Sequence, residues 1–184
     1  MTSGYLLAVL LSAGLPSGSL YTAVPAQSVV RYTVIHKLHE VEGVSRDVEA
    51  KALVKEDGSA VAQARVPVAS FHSGDANRDS HMLEAVDAGR YPFVTVKAAI
   101  QLGPTRELPD KAIPADAEVD FHGIKRRMTI PFTLVRQPGG ELRVRGSFDV
   151  SLDAHGVARP SLLFVKIDDA CRIDLDIVFR GAPR

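Results

Sequence analysis

"ELRVRGSFDVSL", residues 141–152, alternates almost without fault. Leu142, Val144, Gly146, Phe148, Val150 and Leu152 share one parity, and Arg143, Arg145, Ser147, Asp149 and Ser151 share the other. A period of two is the mark of a strand with one buried face and one wet face. Working outward, "CRIDLDIVF" (171–179) repeats the rule, setting Cys171, Ile173, Leu175, Ile177 and Phe179 against Arg172, Asp174 and Asp176. Upstream, "AEVDFHGIKRRMTIPFTLV" (117–135) reads as two strands joined at His122 to Lys125, the second with Met128, Ile130, Phe132 and Leu134 on one face. "VSRDVEAKALVK" (44–55) reads as one long strand carrying Val44, Val48, Ala50, Ala52 and Val54 together, with Arg46 as a departure on the apolar parity. It forms a hairpin through "EDGS" with "AVAQARVPV" (60–68), and "SVVRYTVIH" (28–36) and "PFVTVKAAI" (92–100) have strand composition.

Roughly eight strands, mostly joined by short turns, describe an all-β chain with an antiparallel sheet that must bury one face. Closing into an up-and-down barrel removes the reactive edges; folding into a sandwich is the other solution. The long reading of 44–54 favours a deep barrel. Ala50, Ala52, Ala60, Ala62, Ala64 and Gly146 lie on apolar faces and there is no tryptophan, so side chains would fill the centre poorly. That implies a cavity; the competing account is that small residues let sheets pack closely.

The bulk numbers narrow the class. A chain of 184 residues is about one domain. Lys plus Arg and Asp plus Glu number 22 each, so no net charge draws the protein to nucleic acid or to anionic lipid surfaces. The first twenty residues hold a short apolar run, Tyr5 to Leu11, followed by small residues and Pro16. This segment, 1–20, reads as a signal peptide or an N-terminal extension, with the barrel occupying 21–184; export would place the protein in the periplasm or outside the cell. The run falls short of the ~20 apolar residues of a membrane span. The single cysteine, Cys171, rules out an internal disulfide.

One stretch breaks the alternation: "SFHSGDANRDSHMLEAVDAGRYP" (70–92). Asp75, Asn77 and Ser80 offer N-cap chemistry before Met82 and Leu83, so one or two short helical turns are expected here, placed to close and line a barrel mouth. The stretch resembles the signature of the YceI-like family of bacterial polyisoprenoid-binding, lipocalin-like proteins, through Arg78, Asp79, His81, Leu83, Tyr91 and Pro92. "YTAVPAQSVVRYTVIH" (21–36) is similar to the family's first strand, "VDFHGIKRRMTIPFTL" (119–134) to its later hairpin, and 146–152 to a Gly-containing strand, so the likeness runs over nearly all of 21–180. Val24 and Gln27 depart from the acid and histidine expected there, and no aromatic follows Gly43.

The resemblance implies an eight-stranded lipocalin-like antiparallel barrel with a short helical insertion, carrying or sequestering a long-chain isoprenoid lipid such as a polyprenyl compound or an isoprenoid quinone. No cofactor is implied, and a homodimer is left open. Expected ligand contacts are Tyr32, Val34, Val48, Ala50, Phe71, Met82, Phe93, Phe121, Phe132, Phe148 and Phe164 for the chain, His36 as a core histidine or a polar contact inside the cavity, and the charged cluster Arg78, Asp79 and His81, whose arginine can receive a phosphate or quinone oxygen. Arg78 and Asp79 have a second reading, as groups that tie the insertion to the barrel.

Catalysis finds little support. His36 and His39, three apart on a strand, point to opposite faces and make a poor metal pair. No carboxylate pattern completes a site around His72 and His81, and no GxSxG, HExxH or phosphate loop occurs. The chain reads as a binding protein and not an enzyme. An all-β interaction module with a filled core is the main alternative, and a hydrolase or metal enzyme a weaker one.

Overall fold

The computed structural model describes residues 14–36, 39–159, 161–162 and 165–182. The strands are β1 (Ser19–Ala23), β2 (Val29–His36), β3 (His39–Ser45), β4 (Glu49–Val54), β5 (Ser59–Pro67), β6 (Phe93–Gln101), β7 (Ile113–Phe121), β8 (Ile124–Arg136), β9 (Leu142–Ser151), β10 (Ser161–Leu162), β11 (Val165–Lys166) and β12 (Ala170–Gly181). Between β5 and β6 lies the helix α1 (Ala76–Ala85).

All but β10 and β11 make one sheet in the order β1-β4-β5-β6-β7-β8-β9-β12-β2-β3, closed because β1 also pairs with β12. β1 and β2 lie end to end along β12, the first against Phe179 to Gly181 and the second against Cys171 to Asp176. β4 and β3 continue that division on the next stave. The result is a closed antiparallel barrel of eight staves, as expected.

The long strand expected over 44–54 is two. It breaks at 46–48, and the inward face changes parity across the break: Gly43 and Ser45 are buried before it, Val48, Ala50 and Val54 after it. Val44 therefore sits on the outer face opposite Arg31, not with Val48. Arg46 on the apparent apolar parity was the trace of this switch. A single hydroxyl pair pins the kink: Ser45 Oγ donates to Ser70 Oγ at 2.6 Å, Ser70 Oγ donates to the Pro67 carbonyl, and the Asp47 amide donates to Ser45 Oγ.

The β7–β8 hairpin turns on His122 and Gly123, both with positive φ, tighter than the four-residue connection expected. At the other end β1 begins at Ser19, and Leu15 is 2% exposed in the core. Residues 1–13 of the N-terminal segment lie outside the described residues.

Candidate functional site

The barrel is hollow at one end. A cavity of about 380 Å³ is walled by β2, β3, β5, β6, β7, β9 and β12 and roofed by α1. A smaller one of about 90 Å³ lies further along the barrel. Inward parity supplies most of the wall, including Val66, Val150, Ile173 and Leu175, which alternation alone made legible although they were not singled out.

α1 runs for ten residues, longer than the expected turn or two. Asp75 caps it, its carboxylate accepting from the Asn77 and Arg78 amides at 3.0 and 3.1 Å. Arg78, His81, Met82 and Ala85, at helical spacing i, i+3, i+4 and i+7, form the face that lines the cavity. Asp79 turns the other way. Its Oδ1 accepts from the Ser73 amide at 2.9 Å and the Ser73 hydroxyl at 2.5 Å, and its Oδ2 lies 3.5 Å from His72 Nδ1. The Ser73 hydroxyl, ahead of the other contacts, holds the Asp79 carboxyl below the usual carboxylate range. So of the two readings given to the Arg-Asp pair, each residue takes one: Asp79 anchors the insertion, and Arg78 faces the cavity.

Of the residues expected to touch a ligand, Tyr32, Val34, Phe71, Met82, Phe121, Phe148, Arg78 and His81 line the main cavity. Tyr32 packs its ring on Gly43, where a side chain would overlap it, and meets Phe71 edge-on at 5.4 Å. Burial, assisted by the nearby Asp79 charge, pushes the Tyr32 phenol up to about 12, so it stays neutral.

Five expected contacts fall elsewhere. Val48 and Ala50 are buried but border neither cavity. Phe93, 39% exposed, lies on the outer surface under the Arg65 guanidinium at 4.7 Å, since Val94 and Val96 take the inward parity of β6. Phe132 points inward but reaches the smaller cavity, and Asp79 is an anchor. Phe164 and the side chain of His36 lie outside the described residues.

His39 and Cys171 are wall residues that the sequence reading did not propose. His39 was missed because β3 carries Glu40 and Glu42 and lacks strand character on its own. Burial pushes the Cys171 thiol up to about 12. Around the cavity, then, the polar side chains are Tyr32, His39, Arg78, His81 and Cys171, and three of them stand on α1 or on β3 at the mouth. Among the described residues no cluster of three His, Cys, Asp or Glu side chains could hold a metal, and no helix is long and apolar enough to cross a membrane.

A closed antiparallel barrel that keeps an apolar cavity under a short helix is a lipocalin-like architecture. The chain belongs to the YceI-like family, whose domain model matches residues 21–179. Among solved structures it is similar to BcnA of Burkholderia cenocepacia (TM-score 0.71, 20% identity, over 85% of this chain and 98% of that one). It is also similar to a polyisoprenoid binding domain from Saccharophagus degradans implicated in plant cell wall breakdown (TM-score 0.72, 14% identity, 88% and 98%) and to the YceI protein of Campylobacter jejuni (TM-score 0.59, 11% identity, 100% of both chains). No curated protein matches the sequence.

Proposed function

We propose that this protein binds an isoprenoid lipid, chain inward and polar end at the α1 mouth, and carries or sequesters it without chemical change. The observation that carries the reading is the cavity of about 380 Å³, apolar along its length and polar at one end. Its volume lies within the range of about 300–1,000 Å³ of small-molecule sites, and a filled-core interaction module has no use for it. The S. degradans neighbour, described as polyisoprenoid binding, supports the choice of lipid.

The driving force is burial. Each CH₂ taken from water contributes about 0.8 kcal/mol, so about fifteen carbons contribute about 12 kcal/mol against an association cost of roughly 4–15 kcal/mol. At the mouth, Arg78 offers fixed donors to a phosphate or carbonyl oxygen. The apolar run Tyr5 to Leu11 supports an exported, periplasmic or secreted, location.

The test is organic extraction and mass spectrometry of protein purified from a bacterial host, followed by rebinding of prenyl alcohols to the delipidated protein. A co-purifying or rebinding isoprenoid supports the reading. A protein that arrives empty and ignores added prenyl lipids refutes it.

A further inference from the structure

We propose that Phe132, seated on Gly146, is a stop that sets the length of the bound chain. The proposal rests on the isoprenoid reading and adds a limit to it. The main cavity and the smaller one share Ala64, Val96 and Leu175, so they are neighbours along the barrel interior divided by what stands at that level. The strand register shows what stands there: Phe132 lies opposite Gly146, Gly146 opposite Leu175, and Leu175 opposite Val30, one row across four strands. Gly146 leaves room for the Phe132 ring to lie against the strand, since a Cβ there would overlap two carbons at the ring edge. Beside it Ile130 is 0% exposed and borders neither cavity.

The length follows from volume. A cavity of about 150 Å³ that accepts benzene implies about 25 Å³ per carbon, so about 380 Å³ takes about fifteen carbons, or three isoprene units. The space of about 90 Å³ beyond the stop is nearly one unit more on the same gauge. A longer chain must leave its surplus at the mouth, in water.

Delipidated protein is offered equimolar farnesol and geranylgeraniol, three and four units long, and the bound ratio is read by native mass spectrometry. Wild type is expected to bind the two within threefold of each other. Phe132→Ala joins the cavities, and because each buried CH₂ is worth about fourfold in affinity, it should favour geranylgeraniol at least tenfold. Phe132→Leu, which keeps most of the apolar volume without the flat ring, should fall between and serves if the alanine variant does not fold. A wild-type preference for geranylgeraniol of tenfold or more, or variants that keep the wild-type ratio, overturns the stop while leaving the lipid reading intact. Wild type that takes neither alcohol overturns both.

Discussion

Ala64→Phe probes the cavity directly. Ala64 lines both cavities, between Ala50 and Val96 in register. The substitution adds a phenyl ring, which occupies about 150 Å³ on the benzene gauge, or roughly two-fifths of the main cavity. Empty volume costs about 24 cal/mol per Å³ in core substitutions, so the whole void weighs against folding by about 9 kcal/mol and the ring recovers about 3 of it after its own rotamer loss. For a chain of this length that is a rise in Tm on the order of 6–12 °C. The same ring removes room for about six carbons, so prenyl alcohol binding should fall by more than a hundredfold. Calorimetry and a binding isotherm on delipidated protein decide it. In a filled core an added ring causes strain costing about 1–3 kcal/mol. A variant that melts lower than wild type and still binds lipid would therefore show that the space does not exist and refute the reasoning.

Arg78→Gln should weaken farnesyl phosphate about tenfold and leave farnesol within twofold in paired titrations, as expected for one lost charge-assisted contact. Cys171 should react with maleimide roughly a thousandfold more slowly than a free thiol at pH 8, accelerate as pH rises toward 11, and be shielded further by bound lipid, because its thiol is raised to about 12. Asp79→Asn should speed proteolytic cutting between residues 72 and 80 at neutral pH by removing the negative charge that strengthens the two Ser73 contacts and faces His72. Asp79 has a depressed folded value, so its contribution is complete above the ordinary carboxylate range near pH 4 and is lost as pH falls through the folded value. Wild type and the Asn variant should therefore be cut alike once pH lies below that folded value; a difference that persists there would contradict the anchoring role.

How much of this the sequence disclosed depends on where alternation survives. In β9 and β12 the inward parity never changes, and Val150, Ile173 and Leu175 are where counting by twos puts them. Where apolar residues occupy both parities, as in "PFVTVKAAI", counting cannot choose, and Phe93 was assigned to the wrong side. Aromatic size says only that Phe132 faces inward; its place on Gly146, beside the smaller cavity, depends on cross-strand register, which no single strand carries. Within the insertion, spacing on α1 separates Arg78 and His81 from Asp79, but only once the helix boundary at Asp75 is known.

The break at 46–48 explains why the insertion is where it is. On the first stave β1 ends at Ala23 and β2 resumes at Val29, with the inward set passing from Tyr21 to Val30, Tyr32 and Val34. On the neighbouring stave the same change of parity occurs between Ser45 and Val48. Two adjacent staves that kink can turn their upper halves away from β5: β4 pairs with β5 from Glu49 to Val54, while β3 meets the rest of the chain on that side through a single bridge, Val44 to His72. The widening that creates the cavity thus also opens its wall, and an open edge with unsatisfied amides must be covered. The chain that covers it leaves β5 at Pro67, bonds Ser70 to Ser45 at the kink, pairs His72 with Val44, and delivers α1 over the mouth. The loss of alternation over 70–92 and the kink at 46–48 are therefore one device: a barrel bent open to hold a chain, and the segment that closes the gap.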